Sequence, residues 1–270
     1  MPVTERVAPR HLGDYLLSQG RPVVTLAEAA ELMGLTPRAA SDALVRLRRA
    51  RLMFSPLRGL YVAIPPQYRT WGAVPALDFI APMMNAAHRS YYVGLLSAAE
   101  LHGAAHQRPQ VFQVFVDRTH GDRDFERVRL RFYTKQHIDD VRTQLVNTGT
   151  GQARVSTPAA TALDLASRPG DGGGLSNVAT VVAELVDEAG LDVDAVVDAA
   201  DGFPQSGVRR LGWLLDLVEA DVDRDRLHAW LENKSVPRRP VVLLDPSGPR
   251  RGHGNTRWGL VENADVEPDL

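Results

Sequence analysis

Two helix-start signals stand eleven residues apart near the beginning of the chain, and they constrain its fold more than any other feature. Thr25 is followed by Glu28, the pattern of a capping box, and Gly34 marks the end of the helix that begins there. Thr36-Pro37 then places an N-cap residue before a proline at the first helical position, and this second helix is expected to run to about residue 50. Two helices joined by so short a turn predict a helix-turn-helix.

The residues that follow predict a two-stranded wing. Ala40, Leu44 and Leu47 have the spacing of one helix face and are expected to point inward. Residues 52–54 and 60–64 are strand-like and flank SPLRG, a turn-forming sequence. The N-terminal region is therefore interpreted as a winged helix-turn-helix.

Charge is distributed unevenly along the chain, although its formal net charge is only −2. Residues 1–70 hold ten arginines and five acidic residues, whereas the remaining 200 hold 21 basic and 28 acidic residues. A basic N-terminal unit followed by an acidic body is typical of a nucleic-acid-binding domain that carries an effector.

The second helix has the side chains that binding to duplex DNA requires. A recognition helix needs hydrogen-bonding groups along its exposed face, together with cations that reach phosphates. Four residues of this helix are expected to face base edges, namely Arg38, Ser41, Asp42 and Val45. Arg46, Arg49 and Arg58 are expected at phosphates or in the minor groove. The predicted DNA-binding residues are Thr36, Arg38, Ser41, Asp42, Val45, Arg46, Arg49 and Arg58.

Beyond the wing, strand-like and helical segments alternate without a repeat. The expected class is α+β, with the winged helix-turn-helix in residues 1–68 and a larger mixed domain in residues 69–270, joined by a linker at 65–75. Ser97 and Thr157 are expected to cap helices. Strands are expected at 111–117, 128–134, 152–156 and 241–245, and later helices at 178–186, 192–200, 208–220 and 223–233.

Signals for catalysis, metals and membranes are weak. His102 and His106 have a zinc-compatible spacing but no evident third ligand, so no metal and no cofactor are expected. The glycine-rich PGDGGGLSN lacks the lysine of a phosphate loop, and Glu232 with Lys234 falls at a helix end, so the protein is not expected to be an enzyme. Without cysteine, a long apolar stretch or a signal peptide, the sequence favours a cytoplasmic protein that does not enter membranes.

Four later segments resemble the AbiEi antitoxins of bacterial type IV toxin–antitoxin systems. They are YYVGLLSAAELHG (91–103), ARVSTPAATALDLAS (153–167), GVRRLGWLLD (207–216) and NTRWGLVEN (255–263). The resemblance implies an autoregulatory repressor that binds inverted repeats in its own promoter, with two copies on each operator. It also implies an antitoxin that neutralises a cognate nucleotidyltransferase toxin without requiring a stable complex.

Two other classes of function stay open at this stage. One is a stand-alone winged-helix regulator whose body binds a small molecule, and the other is a nuclease targeted by its winged helix. Thermal stabilisation by a metabolite would favour the first, and magnesium-dependent cleavage that is lost on Glu232→Ala would favour the second.

Overall fold

The computed structural model describes residues 6–104, 109–234 and 241–269, which form an α+β structure. This confirms the predicted α+β class. The helices are α1 (Leu12–Ser18), α2 (Leu26–Met33), α3 (Pro37–Arg49), α4 (Leu77–Ala86), α5 (Leu95–Leu101), α6 (Pro158–Ser167), α7 (Leu175–Asp187), α8 (Val193–Ala199), α9 (Gln205–Leu217) and α10 (Arg224–Asn233). The strands are β1 (Val23–Thr25), β2 (Met53–Leu57), β3 (Leu60–Ala63), β4 (Tyr91–Val93), β5 (Phe112–Val116), β6 (Arg123–Phe125), β7 (Val128–Thr134), β8 (Thr143–Thr148), β9 (Gly151–Ser156), β10 (His253–Asn255) and β11 (Leu260–Glu262).

The two N-terminal helices begin at the predicted caps. The Glu28 backbone N–H donates to Thr25 Oγ1 at 3.2 Å, and the Thr25 backbone N–H donates to Glu28 Oε2 at 2.8 Å. This second bond is the main reason that the pKa of the Glu28 carboxyl lies below its ordinary value. Gly34 ends α2 with φ of 62°, a left-handed conformation that glycine adopts without strain.

The first three strands form an antiparallel sheet in the order β1-β3-β2. Leu57 pairs with Leu60, so Arg58 and Gly59 form a two-residue turn between β2 and β3. The sheet and α1–α3 share one apolar core. Its buried residues are Leu12, Leu16, Val24, Ala29, Ala30, Met33, Ala40, Ala43, Leu44, Leu47, Met53, Tyr61 and Ala63.

The segment at 65–75 is packed, so its interpretation as a linker is wrong. Ala73 and Val74 are buried, and Arg69 Nη2 lies 3.2 Å from Asp14 Oδ1 on α1. Proline and polar residues suggested a connector, but the apolar residues that follow Trp71 supply enough buried surface to hold the chain in place.

A second sheet has the strand order β6-β7-β5-β4-β9-β8. The predicted strands near 111–117 and 128–134 do pair, as β5 and β7, and they run parallel. The connection between them contains β6, which pairs with β7 in an antiparallel hairpin. The mixed pairing arises because the chain reverses direction once before β6 and once after it.

The chain divides into two compact units. The first comprises Met1–Tyr91, Gln110–Lys135 and Leu145–Arg154, and the second comprises Tyr92–Pro109, Gln136–Gln144 and Val155–Leu270. The division that the sequence predicts after residue 68 stays a prediction.

In the second unit, Arg210 of α9 is buried and joins two other segments through its guanidinium. Arg210 Nε donates to the Leu243 carbonyl at 2.9 Å, and Nη1 donates to the Ala166 carbonyl at the end of α6 at 3.2 Å. Burial lowers the pKa of Arg210 from its ordinary value. Hydrogen bonds to main-chain carbonyls therefore compensate the cost of burying this charge.

Trp258 joins the C-terminal segment of this unit to α9, and its side chain is fully buried. Its indole Nε1 donates to Asp216 Oδ2 at 2.6 Å, and Arg209 Nη1 donates to the Trp258 carbonyl at 2.8 Å. A Cβ on Gly212 would overlap the indole ring, so glycine allows this close approach. The segments 207–216 and 255–263, both singled out in the sequence, thus contact each other.

Two local expectations in this region are wrong. Ser97 does not cap a helix, because α5 begins at Leu95 after Gly94 and buries Ser97 within it. Residues 241–245 do not form a strand and make only an isolated bridge to β11, between Leu243 and Val261. Among the described residues, the helices are too short or too polar to cross a lipid bilayer.

Candidate nucleic-acid interface

The exposed face of α3 is defined by the residues that it buries. Ala40, Leu44 and Leu47 lie in the core as predicted, together with Ala43. A helix that buries this stripe must present the opposite stripe to solvent, because neighbours on one face recur every three or four residues.

That opposite stripe contains four of the eight predicted DNA-binding residues. Arg38, Asp42, Val45 and Arg49 follow one another at spacings of four, three and four, and all are exposed. Val45 is 37% exposed, which is unusual for a valine in a helix that has a well-formed core face. An apolar contact flanked by arginines at both ends of the stripe is suited to a groove that displays both methyl and acceptor groups.

Ser41 and Arg46 lie on the two sides of this stripe. Ser41 is half-buried, and Arg46 is exposed. Thr36 is exposed at the helix N-terminus, where its side chain accepts a hydrogen bond from the Ala39 backbone N–H at 3.3 Å. Thr36 thus has a structural role whether or not it contacts a ligand.

Arg58 lies apart from α3, in the exposed turn between β2 and β3. The Gly59 carbonyl in this turn accepts a hydrogen bond from the Leu26 backbone N–H at 2.9 Å, which ties the turn to the start of α2. Arg58 is therefore carried on a turn that is held by the helix-turn-helix.

The arginine side chains of this surface are available to a ligand. Within the described part of the chain, neither an ion pair nor a hydrogen bond engages the side chains of Arg38, Arg46, Arg49 or Arg58. Arg51, just after α3, differs from them because its Nη2 lies 3.6 Å from Glu126 Oε1. With Asp42 as the one carboxylate on α3, the surface is strongly cationic and suits a polyanion.

The other candidate sites do not form comparable clusters. His106 lies outside the described residues, while the His102 ring Nε2 lies 2.8 Å from the Ser156 carbonyl. In the ranges 6–104, 109–234 and 241–269, His, Asp and Glu side chains do not gather in a group of three that could hold a metal ion. Lys234 at the end of α10 pairs with Asp201 at 2.8 Å.

The glycine-rich loop before α7 is packed on its own chain. Asn177 Nδ2 donates to the Gly172 carbonyl at 2.7 Å, and a Cβ on Gly172 would crowd Val178 and Leu165. The glycines allow α7 to pack close to α6, which is a structural role.

The structure thus defines an α+β protein in which two short helices, α2 and α3, adjoin a hairpin, and α3 has a cationic exposed face. Residues 92–217 match the family model described as the AbiEi antitoxin C-terminal domain. This match confirms the resemblance to the AbiEi antitoxins over that segment and supports an antitoxin role.

Comparison with solved structures extends the fold similarity over nearly the whole chain. The Rv2827c protein from Mycobacterium tuberculosis has a TM-score of 0.69 at 18% identity, covering 96% of this chain and 93% of that one. An antigenic nucleotidyltransferase-like protein from Paracoccidioides brasiliensis has a TM-score of 0.34 at 9% identity, covering 58% of this chain and 90% of that one, which is too low to indicate a shared fold. No curated protein sequence matches.

Proposed function

We propose that the protein is an antitoxin that also represses its own operon by binding duplex DNA through α3 and the β2–β3 turn. The observation that best supports DNA binding is an exposed stripe on α3, a helix whose other face is buried. The stripe consists of Arg38, Asp42, Val45 and Arg49. The arginines in this stripe lack intramolecular partners among the described residues, so their charge is available to a ligand.

In this proposal, α3 lies in the major groove and reads base edges. Arg38 donates two hydrogen bonds to guanine, Asp42 accepts one from a cytosine amino group, and Val45 contacts a thymine methyl group. Ser41 is the remaining base contact. A bidentate arginine–guanine pair contributes about 1–3 kcal/mol of discrimination against other bases.

Arg46, Arg49 and Arg58 bind phosphates or the minor groove on either side of the reading helix. Such contacts orient the protein on the duplex without selecting sequence. An operator of two inverted half-sites binds two copies of the chain, and the half-site centres are about one helical turn, or a multiple of it, apart.

The antitoxin activity is directed at a nucleotidyltransferase toxin and does not need a stable complex with it. The match of residues 92–217 to the AbiEi antitoxin domain supports the antitoxin role on which this part of the proposal rests. A coexpression experiment tests it. The nucleotidyltransferase toxin gene that the proposal places beside this one is induced from one promoter and the full chain from a second, unrelated promoter, and growth is measured.

Rescue of growth is expected from the full chain and also from a variant that carries Arg38→Ala and Arg49→Ala. This variant removes DNA contacts, and the unrelated promoter makes repression irrelevant. Failure of the wild-type chain to rescue would contradict the antitoxin part of the proposal. Failure of the variant alone would show that α3 takes part in neutralisation.

DNA binding is tested by gel-shift titrations of the protein's own upstream DNA and a scrambled duplex at several salt concentrations. Wild type is expected to prefer the upstream DNA with a steep salt dependence. Arg46→Ala should weaken binding to both duplexes and reduce the slope of log K against log salt by about 0.9.

The matched control is Arg250→Ala, which removes the same charge from an exposed position in the second compact unit. It should leave the affinity and the salt dependence unchanged. Equal binding of wild type and Arg46→Ala to both duplexes would contradict the assignment of α3 to DNA.

A further inference from the structure

The β6–β7 hairpin lies outside the predicted winged helix, yet it packs against it within the first compact unit. Phe125 of β6 makes edge contacts with Phe54 of β2 and Phe79 of α4, with ring centroids 5.8 and 5.9 Å apart. Phe54 and Phe79 also contact each other at 5.1 Å. Three mutually packed rings hold the hairpin against the wing strand.

The tip of this hairpin touches the chain just beyond α3. Phe125 pairs with Val128, so Glu126 and Arg127 form the turn. Glu126 Oε1 lies 3.6 Å from Arg51 Nη2, and its Cγ would lie 2.9 Å from a Cβ on Gly72. Because α3 ends at Arg49 and Arg127 directly follows Glu126, the tip lies beside the arginine-rich end of α3.

The hairpin is also held by strand pairing, because β7 pairs with β5 as well as with β6. β7 pairs with β5 over five consecutive residues, from Leu130 to Thr134. A tip carried by a paired strand and an aromatic cluster is positioned in advance, so a ligand that binds it does not have to order a loop.

The arginines at the tip differ from others in and just before the hairpin, which are engaged by carboxylates. Arg131 is engaged by Asp122 and Asp124 at 3.4 and 3.1 Å, and Arg118 by Asp117 at 3.3 Å. By contrast, Arg127 and Arg129 are exposed and form neither ion pairs nor hydrogen bonds through their side chains within the part of the chain that the structure describes.

We propose that Arg127 and Arg129 form a second DNA contact, to the phosphate backbone beside the C-terminal end of α3. This inference rests on the proposed function, because it extends the same surface. The end of a recognition helix lies close to the sugar-phosphate backbone in helix-turn-helix complexes, so cations placed there meet phosphates and not base edges. The hairpin thus lengthens the footprint without adding sequence specificity.

The test uses the full chain and the double variant Arg127→Gln, Arg129→Gln. Affinity for the upstream DNA and for scrambled duplex is measured by fluorescence anisotropy across a salt series, and the edges of the complex are mapped by hydroxyl-radical footprinting. The control variant Arg250→Gln, Arg251→Gln has the same change in net charge, at exposed positions in the second unit.

The double variant should bind both duplexes more weakly by the same factor. Its salt slope should be smaller by about 0.9 for each phosphate that the variant no longer binds, and protection should shorten at one edge of each half-site. The control should match wild type in all three measurements, and thermal unfolding of both variants should match wild type because the substituted side chains are exposed.

Three outcomes would overturn the inference. If the double variant keeps the wild-type affinity, slope and footprint while Arg46→Ala weakens binding, the hairpin does not touch DNA and the proposed function stands. If affinity falls for the upstream DNA alone with an unchanged slope, the tip does not bind phosphates. If wild type itself binds neither duplex, the proposed function and this extension both fail.

Discussion

At the scale of single residues, the clearest constraint lies between Gly212 and Trp258. The indole occupies the space that a side chain at position 212 would need, and its Nε1 is bonded to Asp216 one turn further along α9. Arg209, one turn earlier, donates to the Trp258 carbonyl. Three positions on one face of α9 thus contact the same tryptophan.

We expect Gly212→Ala to lower the free energy of unfolding by about 1–3 kcal/mol, the usual cost of overpacking a core. Urea unfolding at pH 7 measures the change. The control is Gly254→Ala in β10, where a Cβ would meet nothing within 4 Å and the effect should be small. Equal stability of the two variants would contradict the close packing of α9 against Trp258.

His102 makes a second prediction at this scale, through pH. Its ring Nε2 lies 2.8 Å from the Ser156 carbonyl, and burial lowers the pKa of His102 below the ordinary 6.5. The unfolded chain therefore binds a proton more readily than the folded chain. The stabilisation that neutral His102 provides is complete above pH 6.5 and is lost as the pH falls.

Urea unfolding at intervals from about pH 8 to pH 5 tests this, with His102→Gln as the comparison because glutamine can donate to the same carbonyl without titrating. Wild type should lose more unfolding free energy than the variant as the solution becomes acidic. Parallel curves would mean that His102 does not contribute to the pH dependence.

At the scale of elements, α2 and α3 are short helices, and each has a threonine N-cap that stabilises its first turn. α2 has only eight residues and α3 thirteen, so both are too short to be stable alone. Each begins at a threonine whose side chain accepts a backbone N–H three residues on. The caps therefore determine where α2 and α3 begin.

Thr25→Ala is expected to lower the free energy of unfolding by about 1 kcal/mol, because a backbone N–H in the first turn of α2 loses its acceptor. Thr25→Ser keeps the oxygen and should retain most of the stability. Thermal unfolding followed by circular dichroism compares the three proteins. A serine variant as unstable as the alanine variant would show that the methyl group of Thr25, and not its cap, is responsible.

At the scale of the whole molecule, the first compact unit is not continuous in sequence. It takes in Gln110–Lys135 and Leu145–Arg154 besides the N-terminal 91 residues. The matched antitoxin segment, 92–217, therefore includes strands that cluster with the proposed DNA-binding region. For this reason the proposed experiments use point variants of the full chain instead of truncations.

Limited digestion with trypsin tests the predicted division after residue 68. Arg69 is tied to Asp14, the Thr70 carbonyl accepts from Arg51, and Ala73 and Val74 are buried. Proteases need local unfolding, so a fragment that ends at Arg69 should not accumulate from the native protein, whereas the urea-unfolded chain should be cut there. Accumulation of a stable fragment of residues 1–69 would instead support the sequence-based division.

Local chemistry explains why part of this protein could be predicted. The caps at Thr25, Thr36 and Thr157, the buried stripe of α3 and the turn at Arg58 involve residues a few positions apart, whose interactions do not depend on distant parts of the chain. The exposed stripe followed directly from the buried one, which is why the candidate DNA-binding residues could be proposed from spacing. Their contacts with DNA stay a prediction.

Long-range packing accounts for the rest. The parallel pairing of β5 with β7, the burial of Ala73 and the contact of Glu126 with Arg51 join residues that are far apart in the chain or that lack a periodic pattern. Such contacts form only when the free energy gained by burying surface exceeds the entropic cost of closing the loop between the residues. A local sequence pattern does not show whether this condition is met. The amino-acid order thus specified the starts of α2 and α3 and the charge of the α3 surface, whereas folding in three dimensions brought the hairpin tip at Glu126 to Arg51, just after α3.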